Sequence, residues 1–272
     1  MRRESATPAA MLSSLVLNHA LIMSLVRREV VGRYRGSLLG ILWSFFHPLL
    51  MLAVYTFVFG MVFKASWNSG VTSQAEFALI LFVGLMVFNL FAECVTRAPG
   101  LIVSNVNFVK KVVFPVEVLP WVVFGAALFH LAISFLVWLG FYFVVIGLPN
   151  PTVLLLPLVL VPLTLLTMGV AWFLASLGVY LRDVSQVTGV VTTALMFVSP
   201  IFYPRSELPR ELDALLAFNP LTPAIEFVRD VTVWGRVPDL SEFMLYTAVA
   251  AVVACLGFAW FQTTRKGFAD VL

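Results

Sequence analysis

Charge is what this sequence has least of. Asp, Glu, Lys and Arg make up 11% of its 272 residues, against 61% hydrophobic residues, about half the charged share of an ordinary soluble domain. A soluble fold needs polar side chains to clothe its surface, yet the run from Val118 to Leu181 holds no Asp, Glu, Lys or Arg. That excludes a soluble globular domain. Cysteine is scarce too: Cys94 and Cys255 lie in apolar stretches without metal-type spacing, so neither a disulfide framework nor a zinc site is expected, and no metal ligands stand out. Catalytic signatures are missing as well. No Gly-Lys dipeptide occurs, hence no GxxxxGK[ST] phosphate loop, and HExxH, GxSxG and GxGxxG are all absent. The chain is therefore not expected to be an enzyme, and by itself it is no P-loop ATPase. Its net charge of +3 is too small to point to nucleic acid. Arg2 and Arg3 are followed by Glu4 with no compact apolar run and cleavage site, so the N-terminus is expected to be retained.

What is present is apolar length. Mean hydropathy is +1.00, and at roughly 20 residues per crossing the chain supplies about six spans with modest loops. Charge-free runs place them at about 36–63, 77–97, 118–146, 153–179, 184–203 and 243–263, after a tail and interfacial helix over 1–35 and before a short tail over 265–272. The third and fourth spans come from one long run, divided where Gly147-Leu-Pro-Asn-Pro-Thr152 interrupts helical hydrogen bonding. The expected architecture is an all-α polytopic membrane protein.

With both termini cytoplasmic, twelve of the 17 Lys and Arg residues fall on the inner side and five on the outer, as the positive-inside rule requires. Acids run the other way, with Glu207, Glu211, Asp213, Glu226, Asp230, Asp239 and Glu242 near the last outer connection. Trp43, Trp121, Trp172, Tyr180 and Trp260 near inner ends, and Trp138, Tyr142, Tyr203 and Tyr246 near outer ends, read as two interfacial belts. No span displays a clear small-xxx-small seam.

The connections carry the rest of the polarity. Met11 to Val26 reads as an interfacial helix with Leu15, Ile22, Met23 and Val26 on one side and Ser13, Ser24, Arg27 and Arg28 on the other. The basic run of Arg27, Arg28, Arg33 and Arg35 would lie at the level of lipid phosphates. It either anchors the topology or recognises an anionic head group or pyrophosphate through bidentate contacts. The loop Pro99 to Pro120 mixes Asn105, Asn107, Lys110 and Lys111 with Val109, Val112, Val113 and Phe114. A short helix there suits either docking of a cytoplasmic partner or simple interfacial packing. Outside, Tyr203 to Asp239 is broken by five prolines into short helices able to dip back toward the outer leaflet, as an exit gate or as a lid.

Within the spans, Glu93 and Arg97 are spaced i, i+4 in the favourable order and read as a structural ion pair. Single histidines at His47 and His130 read as packing or hydrogen-bonding residues. Among 25 phenylalanines, Tyr55 and Phe59 in the first span and Phe197, Phe202 and Tyr203 in the fifth are candidates to line a glycan path, since sugar C–H faces slide on aromatic rings.

Several ordered stretches resemble the membrane subunit of the ABC-2 type polysaccharide exporters, which serve O-antigen, capsule and teichoic acid export. They are Arg27–Trp43 (RREVVGRYRGSLLGILW), Asn107–Pro115 (NFVKKVVFP), Tyr180–Val184 (YLRDV), Ser199–Pro204 (SPIFYP), and Asn219-Pro220-Leu221 leading to Glu226 and Arg229. The resemblance covers nearly the whole chain. It implies a homodimer of six-helix subunits in the bacterial inner membrane, working with two copies of a separately encoded ATP-binding subunit that holds ATP and Mg, with no cofactor in this chain. It further implies that Asn105, Asn107, Lys110, Lys111 and Phe114 belong to a coupling helix docked on that ATPase. The interfacial helix would stand beside the entry site for an undecaprenyl-linked polysaccharide. A permease for a drug or small lipid shares the fold and several motifs, and an ion-coupled carrier would call for buried ion-binding acids or discontinuous helices, of which the spans show little.

Overall fold

The computed structural model describes residues 7–58, 73–110, 114–204, 216 and 218–272, and every regular element among them is helical. Five helical segments are long and apolar enough to cross a bilayer: Gly40–Val58, Gln74–Leu101, Val116–Val145, Pro151–Tyr180 and Leu240–Val271. Their α-helical parts are α3 (Trp43–Tyr55), α4 (Gln74–Leu101), α6 (Leu119–Val145), α7 (Leu156–Tyr180) and α10 (Leu240–Thr264). Before them come α1 (Pro8–Leu17) and α2 (His19–Tyr34); between them lie the short α5 (Val106–Lys110), α8 (Val184–Val198) and α9 (Thr222–Arg229); α11 (Phe268–Val271) closes the chain.

The centre of the bundle is α4. Ser73 starts it by accepting a hydrogen bond from the Glu76 amide at 3.1 Å, a Ser-x-x-Glu start of the capping-box kind. Its 28 residues span about 42 Å. Most of its apolar stretch is buried, because α3, α6, α7, α8 and α9 all pack around it. Asp239 similarly caps α10 by accepting from the amides of Ser241 at 2.8 Å and Glu242 at 3.2 Å. The α6–α7 turn falls at the proline cluster, with Gly147 at φ +115° in the left-handed region that favours glycine.

Four expectations change. The stretch Met11 to Val26 is two helices bent by 67°, because Asn18 ends α1 by donating its side-chain amide to the Ser14 carbonyl at 2.8 Å. Of the four residues expected on one apolar face, Ile22 is buried and Val26 fits against Gly125 of α6, but Met23 is exposed. The first span begins at Gly40, after a turn in which Gly36 has φ +88°, and residues 59–63 lie outside the described part. The fifth span is only 15 residues of helix, about 22 Å against a core of about 30 Å. It stops where Ser199, held extended, precedes Pro200.

The aromatic belts change too. Trp138, Trp172 and Tyr142 are buried in protein, the two indoles donating to the carbonyls of Leu79 at 3.2 Å and Glu117 at 3.1 Å. A small-residue seam exists after all, inside the chain: a Cβ on Gly257 of α10 would lie 2.0 Å from the Gly169 carbonyl of α7. With Ala250 and Ala254 fully buried on the same helix, the backbones of α7 and α10 touch.

Candidate functional site

A charge among apolar spans persists only if it is paired or hydrogen-bonded, so buried charges mark where to look. At the end of α2, Glu29, Arg33 and Tyr34 face Glu93 and Arg97 of α4 and His130 of α6. Arg33 Nη2 donates to Glu93 Oε1 at 2.5 Å, His130 Nδ1 lies 3.0 Å from Glu93 Oε2, and Arg97 Nη1 approaches Glu93 at 3.6 Å. Arg97 also pairs with Glu29, and Tyr34 Oη is 3.1 Å from His130 Nε2.

His130 Nδ1 also lies 3.2 Å from Arg33 Nη1, so the ring stands between a carboxylate that only accepts and a guanidinium that only donates. Two carboxylates and two guanidiniums surround it.

Four of these residues, Arg33, Tyr34, Glu93 and His130, wall a cavity of about 490 Å³ bounded also by Trp43 and His47 of α3. Side-chain exposures of 38% for Arg33 and 18% for Glu93 leave the charges reachable from it. A cavity with a reachable guanidinium suits an anionic group, provided the Arg33–Glu93 bond is shared or exchanged. The expected Glu93–Arg97 pair is thus one edge of a larger cluster. Glu29, Tyr34 and His130 were missed as members, although Glu29/Arg33 and Glu93/Arg97 are two acid-first i, i+4 pairs of matching chemistry. Arg27, Arg28 and Arg35 are exposed and do not line the cavity.

The connection after α4 is strapped to the end of α10. Arg265 bonds Glu117 at 2.8 Å and reaches the Phe114 carbonyl at 3.5 Å, and Phe108 stacks on Phe114 with centroids 4.4 Å apart. Asn105 donates to the Leu101 carbonyl at 2.9 Å and closes α4, whereas Asn107 and Lys110 are exposed. Lys111 lies outside the described residues. Of the aromatic candidates, Phe197 is exposed and stacks on Phe202, and the Tyr203 hydroxyl donates to the Phe197 carbonyl at 3.0 Å. Tyr55 is half-buried on α3, and Phe59 lies outside the described residues. None of Tyr55, Phe197, Phe202 and Tyr203 lines that cavity.

A second polar centre sits at the opposite end of the bundle. Arg229 of α9 is fully buried and donates to the carbonyls of Ile80 at 3.4 Å, Pro200 at 2.5 Å and Ile201 at 2.9 Å, and to Glu226 at 3.3 Å. Burial pushes its pKa down to about 10, which still leaves it charged at neutral pH. Asn219 donates to Ser199 Oγ at 2.9 Å, and Tyr246 to the Pro220 carbonyl at 2.9 Å. The Ser199–Pro204 and Asn219–Leu221 stretches, distant in sequence, are thereby joined. Next to the clamp, burial first, then the charges of Glu226 and Glu242, raises the half-buried Asp230 carboxyl to about 6.

Residues 20–233 match the model of the ABC-2 type transporter family. Over 254 residues the chain is 30% identical to an O-antigen export system permease protein of Myxococcus xanthus, covering 92% of this chain and 94% of that one. An O-antigen export system permease protein of Klebsiella pneumoniae is 24% identical over 93% of this chain and 95% of its own length. A polysialic acid transport protein of Escherichia coli is 23% identical over 90% of this chain and 93% of its own.

Proposed function

The chain belongs to the ABC-2 type transporter family, and we propose that it is the membrane subunit of an ATP-driven exporter carrying lipid-linked polysaccharide, of O-antigen type, out across the bacterial inner membrane. The observation that carries the reading is the charged cavity between α2, α3, α4 and α6, in a chain whose relatives export O-antigen and transport polysialic acid. Such a cavity is costly in a bundle and suits a phosphate-bearing head group arriving from the bilayer surface.

In this reading Arg33, reachable yet bonded to Glu93, receives the head group, while Arg27, Arg28 and Arg35 draw anionic lipid to the surface beside it. The sugar chain would then pass the aromatic set of Tyr55, Phe59, Phe197, Phe202 and Tyr203. ATP and Mg would be bound by a separate subunit in two copies, docked against Asn105, Asn107, Lys110, Lys111 and Phe114. The strap from Arg265 to Glu117 and Phe114 would pass the motion of that loop to α10. A second copy of the chain would complete the path, and both termini would be cytoplasmic.

Deleting the gene and fractionating lipid-linked polysaccharide tests the reading. Surface polymer is expected to disappear while full-length lipid-linked glycan accumulates on the cytoplasmic face. Unchanged surface polymer, with no redundant exporter, would overturn it in favour of a permease for a drug or small lipid.

A further inference from the structure

The cavity beside Arg33 and Glu93 is also lined by neutral polar groups that anion binding does not use. Asn89 of α4, His47 of α3 and Ser134 of α6 face it, and none of the three forms a hydrogen bond among the described residues. Two aliphatic hydroxyls on the same walls are spent on their own helices: Ser44 donates to the Ile41 carbonyl and Thr96 to the Ala92 carbonyl, both at 2.7 Å. Polar side chains in membrane-spanning helices are costly to leave against hydrocarbon, so three unpaired ones brought to one space from three helices call for a polar occupant.

Their level in the bundle narrows what that occupant is. Helices α4 and α6 run antiparallel, since His130 meets Glu93 at one point and the Trp138 indole meets the Leu79 carbonyl farther along. Asn89 precedes Glu93 by four residues and Ser134 follows His130 by four, so both lie one turn, about 6 Å, beyond the charged set on the same side. His47 stands one turn beyond Trp43 on α3. An anionic group on Arg33 therefore has a neutral hydrogen-bonding shelf beside it, about one ring away.

An amide, an imidazole and a hydroxyl each donate and accept, as sugar hydroxyls do. Met86, Leu90 and Leu131 make the surrounding wall apolar, and Trp43 offers an indole to the C–H face of a pyranose. A hydrocarbon chain would leave all three polar groups unsatisfied, and a second phosphate would find no guanidinium or ammonium on the shelf. Resting on the export reading and deepening it, we propose that Asn89, His47 and Ser134 bind the pyranose joined directly to the head-group phosphate. The cavity then reads the first sugar of the lipid-linked polysaccharide together with its phosphate, and discriminates against carrier lipid that bears no sugar.

The experiment is native mass spectrometry of the full-length protein in mild detergent, offered equal amounts of undecaprenyl diphosphate that is bare, carries one N-acetylglucosamine or carries one galactose. At least one sugar-bearing probe is expected to be retained about tenfold over the bare lipid, the scale of one to two net hydrogen bonds. Asn89→Leu should bring that ratio toward unity and Ser134→Ala should lower it about threefold, whereas Arg33→Gln should weaken all three probes in parallel. Equal retention of bare and sugar-bearing lipid by the unmodified protein, retention of none of them, or an unchanged ratio in Asn89→Leu would overturn the proposal. So would quantitative disulfide dimers of Asn89→Cys in membranes, which would make a second copy the partner of these side chains. Should Asn89→Leu not fold, the ratio in the unmodified protein and in Ser134→Ala decides. Equal retention together with loss of surface polymer on gene deletion would remove the sugar shelf and leave export standing; a sugar preference with unchanged surface polymer would do the reverse.

Discussion

The two polar centres of this bundle solve the same problem in opposite ways. Around Glu93, guanidiniums meet carboxylates on partly exposed side chains, of which Arg33 and Glu93 open to a cavity. Around Arg229, a fully buried guanidinium is held mostly by backbone carbonyls that belong to α4 and to the turn after α8. Side-chain pairs at a cavity wall can trade one partner for another, which a ligand site needs. Carbonyls fixed by the bundle cannot, and stripping their donor leaves several unsatisfied at once. One end is thus suited to exchange and the other to holding.

Removing the holder should have the largest effect. Arg229→Ala is expected to cost about 3 to 5 kcal/mol, as when one partner of a buried charged contact is deleted, seen as a lower unfolding temperature in detergent and reduced accumulation of the full-length protein. Arg229→Lys should fall between, since an ammonium cannot match the planar fork.

A subtler break comes from the neighbouring glycine. A Cβ on Gly84 would meet Arg229 Nη2 at 2.8 Å, so Gly84→Ala should push the guanidinium off the Ile201 carbonyl and cost about 1 to 2 kcal/mol by the same thermal measurement.

At the exchanging end the ranking of stability and function should reverse. Glu93→Gln leaves partly exposed guanidiniums that water can serve, so the expected stability loss is about 1 kcal/mol, while surface polymer in a complemented deletion strain should fall severalfold. In a double-mutant cycle with Arg33→Gln the two effects should be non-additive. Full additivity would show that the 2.5 Å bond does not couple these helices.

A last effect should be one of pH at the holding end, reduced by solvent because Asp230 is only half-buried. Asp230 titrates near 6 in the folded protein and near 3.9 in an unfolded chain. Between those values the folded state holds the extra proton, so this contribution to stability is complete below about pH 4 and is lost as pH rises through about 6. Asp230→Asn should flatten that part of the profile of unfolding temperature against pH.

The spans were legible because a membrane core imposes one rule along the whole chain: long stretches without charge, broken where prolines and Gly147 remove helical hydrogen bonds. The shortness of α8 was not, since an apolar composition over 184–203 says nothing of where Ser199 turns extended. For the inner network, the two acid-first pairs on α2 and α4 were visible in the sequence, but that they face each other across His130 was not. Arg229 was visible only as a charge of the outer connection, because its partners are the carbonyls of Ile80, Pro200 and Ile201, and a backbone carbonyl leaves no mark on residue identity. The seam of Gly169 and Gly257 escaped for a related reason: the small residues that let two backbones touch lie 88 positions apart.

The sequence by itself determined that this is a polytopic helical membrane protein, roughly where its long apolar helices lie, and which family's order of motifs it carries, because hydropathy and motif order are properties of the linear chain. Only the tertiary structure decided which charges meet, which aromatic rings are core rather than interface, and where cavities remain. Those depend on contacts between helices whose partners are distant in sequence and, at Arg229 and the glycine seam, consist of backbone atoms common to every residue.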